Sequence, residues 1–368
     1  MSVLSVRRVG VCVGVMAALG LAAVLPAAGS AATVARPGAA TGVGEYGGTI
    51  VFSSSDHGEG RWYLSIRKAG AKSAQRLAVA PSATSFRADI GTDSAGRPEL
   101  IYQRCALTTR TVMVGTMPIT TSERTGCELF VYSLADASGE RPVRNANDPS
   151  RNDVGATLWK GRIAWTREYG SGNAPNDIVY TKTLTAPRSQ PSKRLPGVPQ
   201  TRCGDVDKVC GPTTNRTVGA LELSGDNLAV VVYYDCTGCS GIAQSELRLD
   251  KVADASSRGV AFLVVGMNGQ QFVGPSFFDG RLAWYRACAV TEASCKRAVG
   301  PWRYKLSARS YERGAPGPIR VSGFADTGSR LYEVLGCNDA EAGAKYNTSC
   351  RIDEIAPPSY SAAPAPTR

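Results

Sequence analysis

The chain has 368 residues, 43% of them hydrophobic and 20% charged, with 42 Lys plus Arg against 31 Asp plus Glu, eleven cysteines and one histidine, His57. That length can bury one large core or build two domains. A single histidine excludes catalytic zinc sites made from two or three imidazoles, and the two-His-one-carboxylate iron site.

Arg7 and Arg8 open onto a run of small and apolar residues from Val9 to Ala28, which closes on Ala28-Gly29-Ser30-Ala31-Ala32. A basic start, an apolar run and small residues at alternate positions read as a secretory signal peptide over 1–32. An uncleaved anchor is the rival, since about twenty apolar residues cross a bilayer, but Gly10, Gly14, Gly20 and Pro26 weaken such a helix. Two adjacent arginines do not make a twin-Arg signal by themselves. Cys12 lies near the start of the apolar run instead of closing it, so it is no lipoprotein acylation site. Loss of 1–32, which hold two arginines and one cysteine, leaves 336 residues, a net charge of +9 and ten cysteines. In an exported chain that even number reads as five disulfides. Residues 33–45 and 356–368, rich in Gly, Ala and Pro and without alternation, are expected as a flexible linker and a disordered tail.

Between them no long stretch has helical periodicity. Short runs of Val, Ile, Leu and aromatics are separated by Gly, Asp, Asn and Ser, an all-β signature. Six runs open on a turn glycine followed by an apolar strand, at Gly48, Gly96, Gly161, Gly225, Gly280 and Gly328, with a mean interval of 56 residues. A second strand follows each, as in Arg61–Ile66, Cys127–Leu134, Asp177–Leu184, Glu246–Val252, Arg303–Arg309 and Cys350–Ile355. After a polar turn comes a short basic-apolar strand such as Ser192–Leu195 or Pro318–Val321, and a further strand such as Gln271–Phe278 lies ahead of the turn glycine. Four strands in about 56 residues is the period of a propeller blade. The expected fold is all-β: a single β-propeller over 46–355 with six blades of four-stranded antiparallel sheet. The first repeat lacks a clear innermost strand and the last an outermost one, as when a shared blade joins the chain ends. Five or seven blades, or a pair of β-sandwiches, satisfy the same strand pattern.

The stretch Pro275-Ser-Phe-Phe-Asp-Gly-Arg-Leu-Ala-Trp284 resembles the Pro-Asp-Gly turn of the WD40-like repeats in TolB-like β-propellers. Trp159-Lys-Gly161 and Ser224-Gly-Asp226 share part of it. The resemblance implies a fold; propellers of this kind are mostly protein-interaction platforms, and a few related ones are hydrolases.

Antiparallel order puts the loops between second and third strands, and the crossings from blade to blade, on one face. All ten remaining cysteines fall there: Cys105 and Cys127, Cys236 and Cys239, Cys288 and Cys295, and Cys337 and Cys350 in loops, Cys203 and Cys210 in a crossing. Equal offsets from the strand starts pair Cys105–Cys127, Cys288–Cys295 and Cys337–Cys350. Cys203, Cys210, Cys236 and Cys239 can pair locally or between loops. Cys236-Thr-Gly-Cys239 follows a strand, whereas a redox CxxC needs a helix N-terminus, and an oxidising compartment favours disulfides over a zinc site.

Other motifs read as structure. Ser54–Trp62, around His57, approaches an Asp-box but has one residue too many before Trp62; it reads as a hairpin loop. Ser65-Ile-Arg-Lys68 needs a helix to work as Ser-x-x-Lys and lies in a strand. Asp205 and Asp207 are too few for calcium. Asn215 and Asn347 open glycosylation sequons, but the Arg-, Ala- and Gly-rich composition is bacterial in character. The positive charge is dispersed, with no run of more than two basic residues, which excludes nucleic acid as the expected partner. No cofactor or metal is expected. The expected function is a secreted, monomeric binding scaffold for an extracellular or cell-envelope protein or glycan, acting through the cysteine-bearing face, where loops are long and the opposite face has tight turns. Arg110, Tyr169, Arg202, Arg297, Trp302 and Tyr346 are the candidate contacts, of types enriched at hot spots. Alternatives are an extracellular hydrolase or lyase for carbohydrate or ester substrates, using axial carboxylates, and a cell-envelope spacer with no ligand.

Overall fold

The computed structural model describes residues 31–56, 60–114, 116–136, 139–169, 176–195, 215–235, 244–253, 262–266, 270–288, 299–337 and 346–365. Every regular element among them is a β-strand.

The strands form a six-bladed propeller whose blades follow one another along the chain, each running outward from the axis. The first strand, β1 (Ala32–Ala35), belongs to the last blade. Blade one is β2 (Val43–Tyr46), β3 (Thr49–Ser55), β4 (Trp62–Arg67) and β5 (Gln75–Arg76). Blade two is β6 (Ala88–Thr92), β7 (Pro98–Val114), β8 (Met117–Ser133) and β9 (Glu140–Pro142). Blade three is β10 (Asn152–Trp159), β11 (Arg162–Tyr169), β12 (Asn176–Thr183) and β13 (Lys193–Arg194); blade four is β14 (Asn215–Ser224), β15 (Asn227–Asp235), β16 (Gln244–Lys251) and β17 (Phe262–Gly266). Blade five is β18 (Gln270–Phe278), β19 (Arg281–Cys288), β20 (Gly300–Lys305) and β21 (Ser310–Arg313). Blade six is β22 (Gly323–Asp326), β23 (Leu331–Leu335) and β24 (Arg351–Ile355), and β1 pairs antiparallel with β24 to complete it.

All six turn glycines have positive φ, from 61° at Gly225 to 85° at Gly328, a backbone region that costs other residues a Cβ clash. Four of the turns are two-residue loops, closed by Tyr46↔Thr49, Trp159↔Arg162, Ser224↔Asn227 and Phe278↔Arg281. In Gly47-Gly48, Lys160-Gly161 and Asp279-Gly280 both central residues have positive φ, which matches the twist of a hairpin.

The core lies between blades. Ala229, Val231, Leu247 and Leu249 of blade four pack against Phe272, Leu282, Trp284 and Trp302 of blade five, and like clusters fill the other gaps. At the axis the inner strands meet backbone to backbone: a Cβ on Gly91 would overlap Leu158 O, and one on Gly323 would overlap Thr41 O. Hydrogen bonds knit them in chain order. Asp89 Oδ2 accepts from Thr157 Oγ1 (2.8 Å) and Leu158 N (2.9 Å), Thr157 Oγ1 accepts from Leu223 N (3.1 Å), and Ser276 Oγ accepts from Asp326 N (3.0 Å).

Three expectations change. Residues 33–45 are not a free linker: they contain most of β1, the start of β2 and the fully buried Ala39. The tail is partly ordered, since β25 (Ser361–Ala363) adds a fifth strand to blade five beside β21, and Tyr360 donates to Asp326 Oδ2 (3.2 Å) with the Arg303 guanidinium 3.7 Å from its ring centre. Both segments contribute backbone pairing, for which side-chain alternation is not required. Pro318–Val321 is a crossing into blade six instead of an outer strand, a role that β21 takes.

Candidate functional site

Inner strands start at the cysteine-bearing face, so their first residues surround the axis on that side. A cavity of about 890 Å³ opens there, lined by all six inner strands and the segments leading into them. Gly44, Gly155, Gly219, Gly274 and Gly323 are among the residues that line it, and three of the strands carry a register shift at their glycine, between Val154 and Thr157, Val218 and Ala220, and Val273 and Ser276.

Blade two roofs part of the cavity. Its β7 and β8 continue as one ladder from Glu99↔Ser133 to Val114↔Met117, well past the blade. The Cys105–Cys127 disulfide sits where this ribbon leaves the blade, beside the register shift between Arg104 and Ala106. Leu107, Ser122 and Arg124 of the ribbon face the cavity, and Arg124 forms an ion pair with Glu168 of blade three. Asn152 donates to both Arg124 O and Glu168 Oε2, at 3.1 Å each, and accepts from Cys127 N. The expected loop is therefore a stapled ribbon tied across to the next blade. The Cys337–Cys350 disulfide is also formed. Cys288 is disulfide-bonded, while Cys295, the partner expected for it, lies outside the described residues together with Cys203, Cys210, Cys236 and Cys239.

The cavity has two charged poles. At the mouth, Arg87 is surrounded by protein yet keeps part of its surface open to the cavity. Its acceptor among the described residues is Val218 O at 3.4 Å, and no carboxylate pairs with it. Burial, and then the nearby Arg124, lower its pKa to about 10. Tyr233 stands beside it, donating to Phe272 O (2.9 Å), with burial raising its pKa to about 12. Asp177 accepts from Val218 N through Oδ2 (2.7 Å) while its buried Oδ1 has no partner, and burial pushes its pKa up to about 6.

Deeper along the axis lie three acids. Glu222, on β14, accepts no hydrogen bond and forms no ion pair among the described residues. Burial first, then the Asp89 and Glu45 carboxylates, push its carboxyl well above the usual range. Burial raises Asp89 to about 6 against the three hydrogen bonds it accepts, from Thr157, Leu158 and Ile90. Glu45 rises to about 7, mainly by burial, although Oε1 accepts from Gly48 N (2.7 Å). Asp326, at the far end of β22, is held by Arg303, Tyr360 and Gly328 N.

The contacts expected from sequence do not assemble into this site. Trp302 is a core residue, 4% exposed and stacked on Trp284 (6.4 Å between ring centres, 12° between planes), because β20 turns it inward against blade four. Tyr346 covers Gly38, where a Cβ would strike its ring. Tyr169, at the end of β11, shares a hydrogen bond with Tyr180 (2.6 Å) and lies under Arg151. The backbone of Arg110 pairs with Thr121 in the ribbon; Arg202, Arg297 and His57 lie outside the described residues. Arg87 and Glu222 were missed. One signal was present: in Gly219-Ala-Leu-Glu-Leu223 a charge alternates with two buried leucines, which puts it on the opposite face of the innermost strand from them.

No protein-family model matches the chain, and no curated protein matches it in sequence. Solved structures similar to it include the β-propeller domain of the Trilobed protease from Pyrococcus furiosus (7% identity, TM-score 0.38, covering 90% of this chain and 99% of that one). A structure from an analysis of two prolyl endopeptidases aligns at 12% identity and TM-score 0.37, over 84% of this chain and 44% of that one, so this chain spans under half of its length. A putative glycoside hydrolase from Parabacteroides distasonis aligns at 12% identity and TM-score 0.36, over 91% of this chain and 95% of that one. Nothing of their chemistry transfers at this distance.

Proposed function

We propose that this protein is a secreted, TolB-like binding propeller that takes a small polar ligand, free or as the end of a larger envelope molecule, into the axial cavity of its cysteine-bearing face. The carrying observation is that, among the described residues, one cavity holds both an arginine without a carboxylate partner and a glutamate without a hydrogen-bond or ion-pair partner. Buried polar and ionisable groups are normally paired, and leaving them without partners costs free energy; a ligand that completes them recovers that cost on binding. The cavity volume is in the range of small-molecule sites, and the stapled ribbon gives it a rigid rim.

The hydrolase alternative needs two free carboxyl groups about 5–9.5 Å apart. Asp89, Glu45 and Asp326 are each committed to hydrogen bonds that hold the ring or its turns, which leaves Glu222 alone and favours binding over turnover. The test is a thermal-shift screen of neutral oligosaccharides, organic acids and short peptides against the wild type and Ser122→Trp. Ser122 is exposed in the ribbon at the cavity mouth, so an indole there obstructs access without touching the core. Stabilising hits lost in Ser122→Trp support the reading. Hits that survive it, or none, overturn it, and hydrolysis of a glycan or ester abolished by Glu222→Gln would replace it with the enzyme alternative.

A further inference from the structure

We propose that the axial cavity is built for a short zwitterionic chain, a peptide of about three residues with both ends free, its carboxylate on Arg87 and its ammonium on Glu222. This rests on the cavity being the binding site. At the mouth, the guanidinium has five N–H donors and one long bond to Val218 O. It is a planar fork matched to a carboxylate, and the neighbouring Arg124 is already neutralised by Glu168. One spare positive charge calls for one negative charge.

At the floor the balance is reversed. Among the described residues Glu222 has no hydrogen-bond or ion-pair partner, and the charges that act on it are those of the Asp89 and Glu45 carboxylates. Among the described residues no three acids, histidines or cysteines converge closely enough to hold a metal ion. An unpartnered carboxyl with two further acids in electrostatic range suits an ammonium group.

The spacing fits one ligand better than two ions. Arg87 is bonded at Val218, and Glu222 lies further along the same strand, opposite Ala229 where Val218 is opposite Val232, so the register shift leaves three strand rises, about 10 Å at about 3.3 Å per residue. A three-residue chain, extended, spans about 10–11 Å between its ends, which matches that interval. Between the poles the wall carries Ala88, Ala156 and Ala220, which leaves width for a backbone with small side chains.

The experiment is calorimetric titration of trialanine, N-acetyl-trialanine, trialanine amide and maltotriose into the wild type, Arg87→Met, Glu222→Gln and Ser122→Trp. Trialanine is expected to bind the wild type, at least tenfold more tightly than either blocked peptide. The acetylation penalty should vanish in Glu222→Gln and the amidation penalty in Arg87→Met. Equal binding of free and blocked trialanine overturns the inference even if a variant fails to fold, because the ligands alone carry that comparison. Maltotriose or a blocked peptide binding best, in a manner sensitive to Ser122→Trp, refutes the zwitterion and leaves the cavity reading standing. No binding by any probe refutes both.

Discussion

Gly155 and Gly274 occupy like positions, at the register shifts of β10 and β18, with φ of 59° and 55°, yet alanine should affect them very differently. A left-handed backbone costs alanine about 1–2 kcal/mol wherever it occurs. At Gly155 a Cβ meets nothing nearer than the Arg87 side chain at 3.8 Å, and at the turn residue Gly280 (φ 67°) nothing within 4 Å. At Gly274 the Cβ would overlap the carbonyl oxygen of Phe324 and lie 2.6 Å from its carbon and 2.9 Å from its Cα. That obstacle is backbone of the neighbouring inner strand, so β18 and β22 must part, and overpacking of this kind adds about 1–3 kcal/mol. Gly274→Ala should therefore lose about 2–5 kcal/mol, against about 1–2 for Gly155→Ala or Gly280→Ala. Urea unfolding followed by circular dichroism measures all three, with equal slopes confirming a common unfolded state. A Gly274→Ala loss equal to that of Gly280→Ala would refute the backbone contact at the axis, and with it the tightness of a six-bladed ring.

Replacing both Cys105 and Cys127 with serine should cost about 3 kcal/mol, from the closed loop of 22 residues. It should also raise hydrogen exchange in 106–126 more than in the blades, and unchanged stability would count against the staple. Stability should fall as pH rises from 5 to 8. Asp89 and Asp177 near 6, and Glu45 and Glu333 near 7, keep protons in the folded protein that the unfolded chain has already released, so their contribution is complete at low pH and disappears through that window. Chemical denaturation at fixed ionic strength reads this directly, and a flat or rising profile would contradict the burial of these acids.

The strands were legible where two signals coincide, a turn glycine and an alternating apolar run, and all six of those strands are present within two residues of their expected starts. The outermost strand of the last blade was legible as a gap, but its filler was not, because Ala32-Thr-Val-Ala35 has the composition of a linker and forms a strand only when β24 supplies the pairing. Trp302 shows the limit of residue type as a guide: the aromatic side chains favoured at binding sites are also those that fill the gaps between blades. Arg87 escaped notice because nothing local distinguishes it. Its importance comes from what stands around it, the ribbon of blade two, Val218 of blade four and the unsatisfied Oδ1 of Asp177, all brought together by closure of the ring.

The pairing of β1 with β24 spans about 320 positions of chain, as in the Thr33 to Asp353 hydrogen bond. Bringing such distant segments together costs about 5 kcal/mol of chain entropy, against about 2.7 for a twenty-residue loop, and few residue pairs offset it. Five and a half blades must therefore assemble before the first strand has a place to dock, and until then β24 offers an open edge. At high concentration that edge is as complementary to β1 of a second molecule as to its own. Refolding at high protein concentration is thus expected to yield exchanged dimers with the same strand pairs as the monomer, reversible by dilution and unfolding.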